Sequence, residues 1–141
     1  MLELRKLKHK ANKMKYQALS ILKPAVELII NGEKTHEIRS WLPPFLPLKN
    51  ILLVQNENYL ISDSDEDNGL ALALVDFTDF SDWTEDESHR QGKNYTLGRV
   101  WKPGYYSWKI ENLRKISKPI PCIAKKGIYE VFLDDSINLF D

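Results

Sequence analysis

The densest chemistry in the chain lies in ten consecutive residues, Gly32-Glu33-Lys34-Thr35-His36-Glu37-Ile38-Arg39-Ser40-Trp41. From Thr35 to Trp41 the pattern alternates as a strand does, which puts Thr35, Glu37, Arg39 and Trp41 on one side and His36, Ile38 and Ser40 on the other. Lys34 follows a helix-ending glycine. Partly buried near Arg39, its ammonium would lose basicity and serve as a nucleophile or base; near the surface it would meet a phosphate as a point charge, which is the favoured reading. Glu37 and Arg39 form either a structural ion pair or a device in which the carboxylate holds the guanidinium toward a phosphate or carbonyl. Asp76, at the end of the apolar run Leu70–Phe77, is either a general acid or base beside Lys34 and Glu37 or a solvated strand end. Tyr106 and Trp108 alternate on a second strand with Lys109 and Arg114 nearby, an arrangement that suits base stacking beside cations and equally suits core packing.

Charge segregation supports a nucleic-acid reading. The 141 residues carry no net charge, yet Met1–Tyr16 is basic, residues 50–89 contain no Lys or Arg and eleven acids, and Arg90–Lys126 holds ten cations against Glu111 alone. One basic surface attracts phosphates, and the acidic loop Ser62–Asn68 offers a docking surface for a protein partner. The single cysteine, Cys122, excludes an intrachain disulfide and a Cys-based zinc site, and His9, His36 and His89 are too scattered to ligate a metal, so neither metal nor cofactor is expected. No phosphate-cradling glycine loop or nucleophile elbow is present. No apolar run is long enough to span a membrane, which points to the cytoplasm.

The elements that must position these residues are short. Gln17–Ile21 reads as a strand; Pro24 opens a helix that Gly32 stops. Pro43, Pro44 and Pro47 force an extended loop before a buried strand, Ile51–Val54. Leu70–Phe77 is a strand buried on both faces, with Leu70, Leu72, Leu74 and Asp76 on one and Ala71, Ala73, Val75 and Phe77 on the other. Thr84 and Glu87 have the spacing of a capping box and start a short helix. Tyr105–Ile110 and Ile128–Phe132 complete the strands. With 43% hydrophobic residues the chain builds one core. Residues 1–15 are expected as a basic extension, disordered or frayed, or for residues 1–13 an upstream start before Met14; residues 16–141 are expected as the domain.

Two blocks carry a resemblance to a known family. Gly32-Glu33-Lys34-Thr35-His36-Glu37-Ile38-Arg39 matches the pattern Gly-x-Lys-x-x-Glu-x-Arg of the ASCH family, and Ala18-Leu19-Ser20-Ile21 with Pro24 stands where that family keeps its first strand and helix start. The block Tyr105–Arg114 resembles the aromatic strand and Glu-Asn-x-Arg turn of many bacterial members. The resemblance spans about Tyr16 to Val131 and implies an α+β fold, a small PUA-like mixed β-barrel with two or so short helices. It also implies RNA or a modified nucleoside as partner. The residues expected to bind it in a basic cleft, from their own charge and aromatic character or, for Ser40, a place beside Trp41, are Lys23, Lys34, Arg39, Ser40, Trp41, Tyr106, Trp108, Lys109 and Arg114. The alternative the resemblance implies is a hydrolase, either an amidohydrolase on N-acylated cytidine or a ribonuclease, using Lys34 with Glu37 or Asp76. That subset has threonine where this chain has Glu37, and many members have an aromatic where this chain has Ala25.

Overall fold

A computed structural model describes residues 12–141; residues 1–11 of the expected basic extension lie outside the described residues. Nine elements follow in order: β1 (Lys13–Leu22), α1 (Ala25–Ile30), β2 (His36–Arg39), β3 (Leu48–Asn56), β4 (Glu66–Asp82), α2 (Glu85–Arg90), α3 (Lys93–Thr96), β5 (Tyr106–Lys125) and β6 (Ile128–Asp134). The strands form one sheet in the order β2-β5-β4-β3-β1-β6, curled into a half-barrel. It is mixed because β1 and β3 run parallel, with Leu19 beside Leu53, while every other pair is antiparallel. Lys13–Lys15, placed by the sequence in the basic extension, belong to β1, where Met14 pairs with Leu133. Three short helices accompany the sheet, and among the described residues no helix is long and apolar enough to cross a membrane.

The central strands are buried on both faces because each faces a different core. One cluster joins Leu19, Ile21, Leu53, Val75, Phe77 and Trp108 to Ala25, Val26 and Ile29 of α1; the other joins Ala18, Leu52, Val54, Ala71, Leu74 and Ile116 to Val131, Leu133 and Leu139. The expected faces of β4 are corrected here. Its register shifts between Ala71 and Ala73 and again between Leu74 and Asp76, so Leu72 packs with Val75 and Phe77 while Leu74 joins Ala71. An unpaired residue at a bulge swaps the faces of everything beyond it. The Glu-Asn-x-Arg block is likewise a bulge inside the 20-residue β5 rather than a turn, with Asn112 at φ 54°.

Local signals set the elements around the site. Gly32 adopts φ 81°, and the amides of both Glu33 and Lys34 return to the Leu28 carbonyl, which ends α1 and turns Lys34 inward. The capping box of α2 forms as its spacing predicts: the Glu87 amide donates to Thr84 Oγ1 and the Glu87 carboxylate accepts from the Thr84 amide.

Candidate functional site

Beneath α3, between β2 and the end of β1, lies a cleft of ≈100 Å³ lined by Ser20, Lys34, Glu37, Ile38, Arg39, Thr96, Leu97 and Arg99. Its remaining walls are the Asn56–Leu60 segment and the Lys125–Gly127 turn. Glu37 is at its centre. The carboxylate is 3% exposed, and its Oε1 lies 3.0 Å from Lys34 Nζ while its Oε2 accepts from Arg39 Nη2 at 2.9 Å. Oε1 also accepts from the Ile38 amide. Burial alone would raise the Glu37 carboxyl, but the charges of Lys34, Arg39 and Arg99 together with the Lys34 hydrogen bond outweigh it and hold the group below its ordinary value.

Each cation is aimed by a backbone carbonyl. Lys34 Nζ donates to the Tyr95 carbonyl and lies 4.9 Å from the centre of the Tyr95 ring. Arg39 Nη2 donates to Ser20 O at 2.8 Å, tying β2 to β1 across the cleft. Arg99 Nη1 donates to Ile38 O at 2.8 Å, and its guanidinium covers the Tyr105 ring at 5.0 Å. Leu97, left-handed at φ 57°, ends α3 and brings Arg99 back over β2. The Tyr95 hydroxyl accepts from the Thr35 and His36 amides, so α3 also pins the start of β2.

Three cations around one carboxylate leave two positive charges unbalanced in the cleft. Arg39 Nε is buried without a hydrogen-bond partner in the protein. The side chain of Lys34 is only 1% exposed, so it acts as wall and support for Glu37; Arg39, at 18%, and the partly buried Arg99 are the groups a ligand can reach.

The structure brings together Lys34, Glu37 and Arg39 among the residues singled out in the sequence, and it distributes the others elsewhere. Trp108 has no exposed surface: it is hydrogen-bonded between strands to both β2 and β4, its ring meets Trp41 at 4.8 Å and Phe77 at 5.4 Å edge-on, and its Nε1 donates to Trp41 O. A stacking role for Trp108 is therefore excluded, and Trp41 is half-buried against it. Tyr106 meets Phe80 edge-on, Lys109 is exposed and pairs with Glu111 at 2.9 Å, and Ser40 is exposed beyond β2; none lines the cleft. Lys23 lines two neighbouring depressions instead.

Asp76 and Arg114 form a second cluster at the β4 and β5 bulges. The Asp76 carboxylate accepts from the Asn50 amide, Asn112 Nδ2 and Arg114 Nη2. Burial would raise its carboxyl, and those hydrogen bonds, from Asn50 first, bring it below its ordinary value. A group so occupied, and absent from the cleft walls, does not serve Lys34 as acid or base. Among the described residues no group of three or more His, Cys, Asp or Glu could hold a metal. In the acidic loop, Asp65 accepts from the Ile61 and Ser62 amides and Asp67 from the Asn58 amide, so both carboxylates hold local backbone.

Sequence reasoning missed Tyr95, Thr96 and Arg99. Arg99 was visible only as one of ten cations in a basic stretch, and the four-residue α3 that carries Tyr95 and Thr96 has no periodic signal.

None of the curated proteins compared matches the chain. A family model described as the ASCH domain matches residues 19–120, which include β2, the Lys34–Glu37–Arg39 cluster, α3 and most of β5. Since that match covers well over half of the chain and its motif residues meet in one cleft, the chain belongs to the ASCH domain family.

Proposed function

We propose that the cleft binds RNA, or a nucleoside carrying a phosphate, through Arg39 and Arg99. Membership of the ASCH family supports a nucleic-acid-binding or RNA-related domain in general. The observation that carries the finer reading is the unbalanced charge: Lys34, Arg39 and Arg99 share the single carboxylate of Glu37, and Arg39 keeps a buried N–H without a partner. A polar donor left unsatisfied in a low-dielectric site costs free energy that an anionic oxygen would recover.

A hydrolase built on Lys34, Glu37 and Asp76 fits less well. Asp76 sits in the other cluster, both Glu37 oxygens already accept hydrogen bonds, and Lys34 Nζ is engaged by Glu37 and the Tyr95 carbonyl. Binding of a charged backbone needs none of these groups to change protonation.

Titration of an unpaired oligoribonucleotide over a range of salt concentrations tests the proposal. The slope of log affinity against log salt is expected to be about −1.4, as for about two phosphates neutralised on a single strand by Arg39 and Arg99. Arg99→Ala should weaken binding about tenfold or more and flatten that slope by about 0.7. Unchanged affinity and slope in Arg99→Ala would overturn the assignment of the cleft.

A further inference from the structure

The cleft is small, ≈100 Å³. A nucleotide that sends its phosphate to Arg39 and Arg99 extends from there toward the mouth. The cleft walls there are the Lys125–Gly127 turn on one side and the Asn56–Leu60 segment on the other.

Tyr59 is the aromatic residue of that mouth. It is 68% exposed and, among the described residues, its ring enters none of the aromatic pairs. Tyr59 belongs to neither core cluster, yet the backbone presenting it is fixed on both sides. On one side Asp67 accepts from the Asn58 amide at 2.9 Å, the Glu57 amide at 3.1 Å and the side-chain amides of Asn56 and Asn58. On the other, Asp65 accepts from the amides of Ile61 and Ser62 at 2.8 and 2.9 Å, and Lys126 reaches across from the opposite wall to Ile61 O at 3.2 Å. The Asp67 carboxyl is drawn down to about 2, chiefly by the Asn58 amide, so this clamp is intact at neutral pH. A flat aromatic face held ready at the edge of a cationic cleft is the arrangement single-stranded nucleic-acid sites use, since every base has a face to stack and a fixed platform loses little entropy.

We propose that Tyr59 is the platform on which an unpaired base of the ligand stacks while its phosphate enters the cleft at Arg39 and Arg99. This rests on the reading of the cleft as an RNA or nucleotide site. It assigns to Tyr59 the stacking role that the sequence had offered to Trp108 and Tyr106.

The test compares a nucleoside 5′-monophosphate with ribose 5-phosphate, which lacks the base, on wild type, Tyr59→Ala, Tyr59→Trp and Arg99→Ala. Tyr59→Ala should weaken the nucleotide about 5- to 150-fold, the range of one stacked base, and leave ribose 5-phosphate unchanged. Tyr59→Trp should keep nucleotide affinity. If Tyr59→Ala binds the nucleotide as wild type does while Arg99→Ala is weakened, the platform is refuted and the cleft stands. If wild type binds neither compound, both proposals fall.

Discussion

Glu37→Ala is expected to destabilise the protein by about 3–5 kcal/mol, lowering the melting temperature on the order of 10 °C. The reason is what the substitution leaves behind. Lys34, 1% exposed, would keep only the Tyr95 carbonyl, and Arg39 only the Ser20 carbonyl, so two cations would face each other across a buried gap. Removing one partner of a buried pair costs far more than the pair contributes, because the surviving charge has been taken out of water without compensation. Lys34→Met should cost less, since Glu37 keeps Arg39. The Lys34→Met/Glu37→Ala double variant should be more stable than the sum of its single changes predicts, and urea melts of wild type, the two single variants and the double would measure that coupling.

The same residue fixes a pH dependence. The Glu37 carboxyl lies below its ordinary value of 4.5 in the folded state, despite the burial that opposes ionisation, because Lys34, then Arg39 and Arg99 surround it. A depressed carboxyl contributes its stability in full above the unfolded value, and that contribution disappears as pH falls through the folded one. Glu37→Gln should therefore differ most from wild type near neutrality, and the two stability curves should converge in acid below pH 4.5. A difference that stays constant down to the acid limb would show that the charge of Glu37 is not what holds the cluster.

Trp108→Ala should cost a similar 3–5 kcal/mol, for the separate reason that it empties the centre of the core beneath α1. Trp108 is the largest side chain with no exposed surface, wedged between Trp41 and Phe77. Trp108→Phe keeps most of the volume and loses the hydrogen bond to Trp41 O, so a loss of about 1–2 kcal/mol is expected. The informative readout is affinity: folded Trp108→Phe should bind an oligoribonucleotide as wild type does. A selective loss of binding at unchanged stability would restore this residue to the site.

Those two substitutions bracket what could be read from the chain before its fold. Lys34, Glu37 and Arg39 were legible as a cluster because they lie within six residues, where strand alternation and a helix stop determine which way each side chain points. The capping box of α2 was legible for the same reason, since Thr84 and Glu87 satisfy each other locally. Trp108 was not, because an aromatic on a strand looks the same whether its face meets core or solvent, and the pairing of β5 with both β2 and β4 decides the matter. The contacts of Tyr95 with Lys34 and of Arg99 with Ile38 each span 61 residues, so no local pattern announces them. The bulges that separate Asp76 and Arg114 from the cleft leave only a faint mark, the two asparagines Asn50 and Asn112 in left-handed conformations that this residue type tolerates well.

The central claim is that the basic cleft under α3, and not the basic residues along β5, meets the nucleic acid. Amide chemical-shift mapping during titration with a short unpaired oligoribonucleotide tests it most directly. The account predicts shifts concentrated at Arg39, Thr96, Arg99 and Lys126–Gly127, with Lys109 and the Asp76–Arg114 cluster unmoved. Shifts centred on Lys109 and Arg114, with the cleft silent, would contradict it.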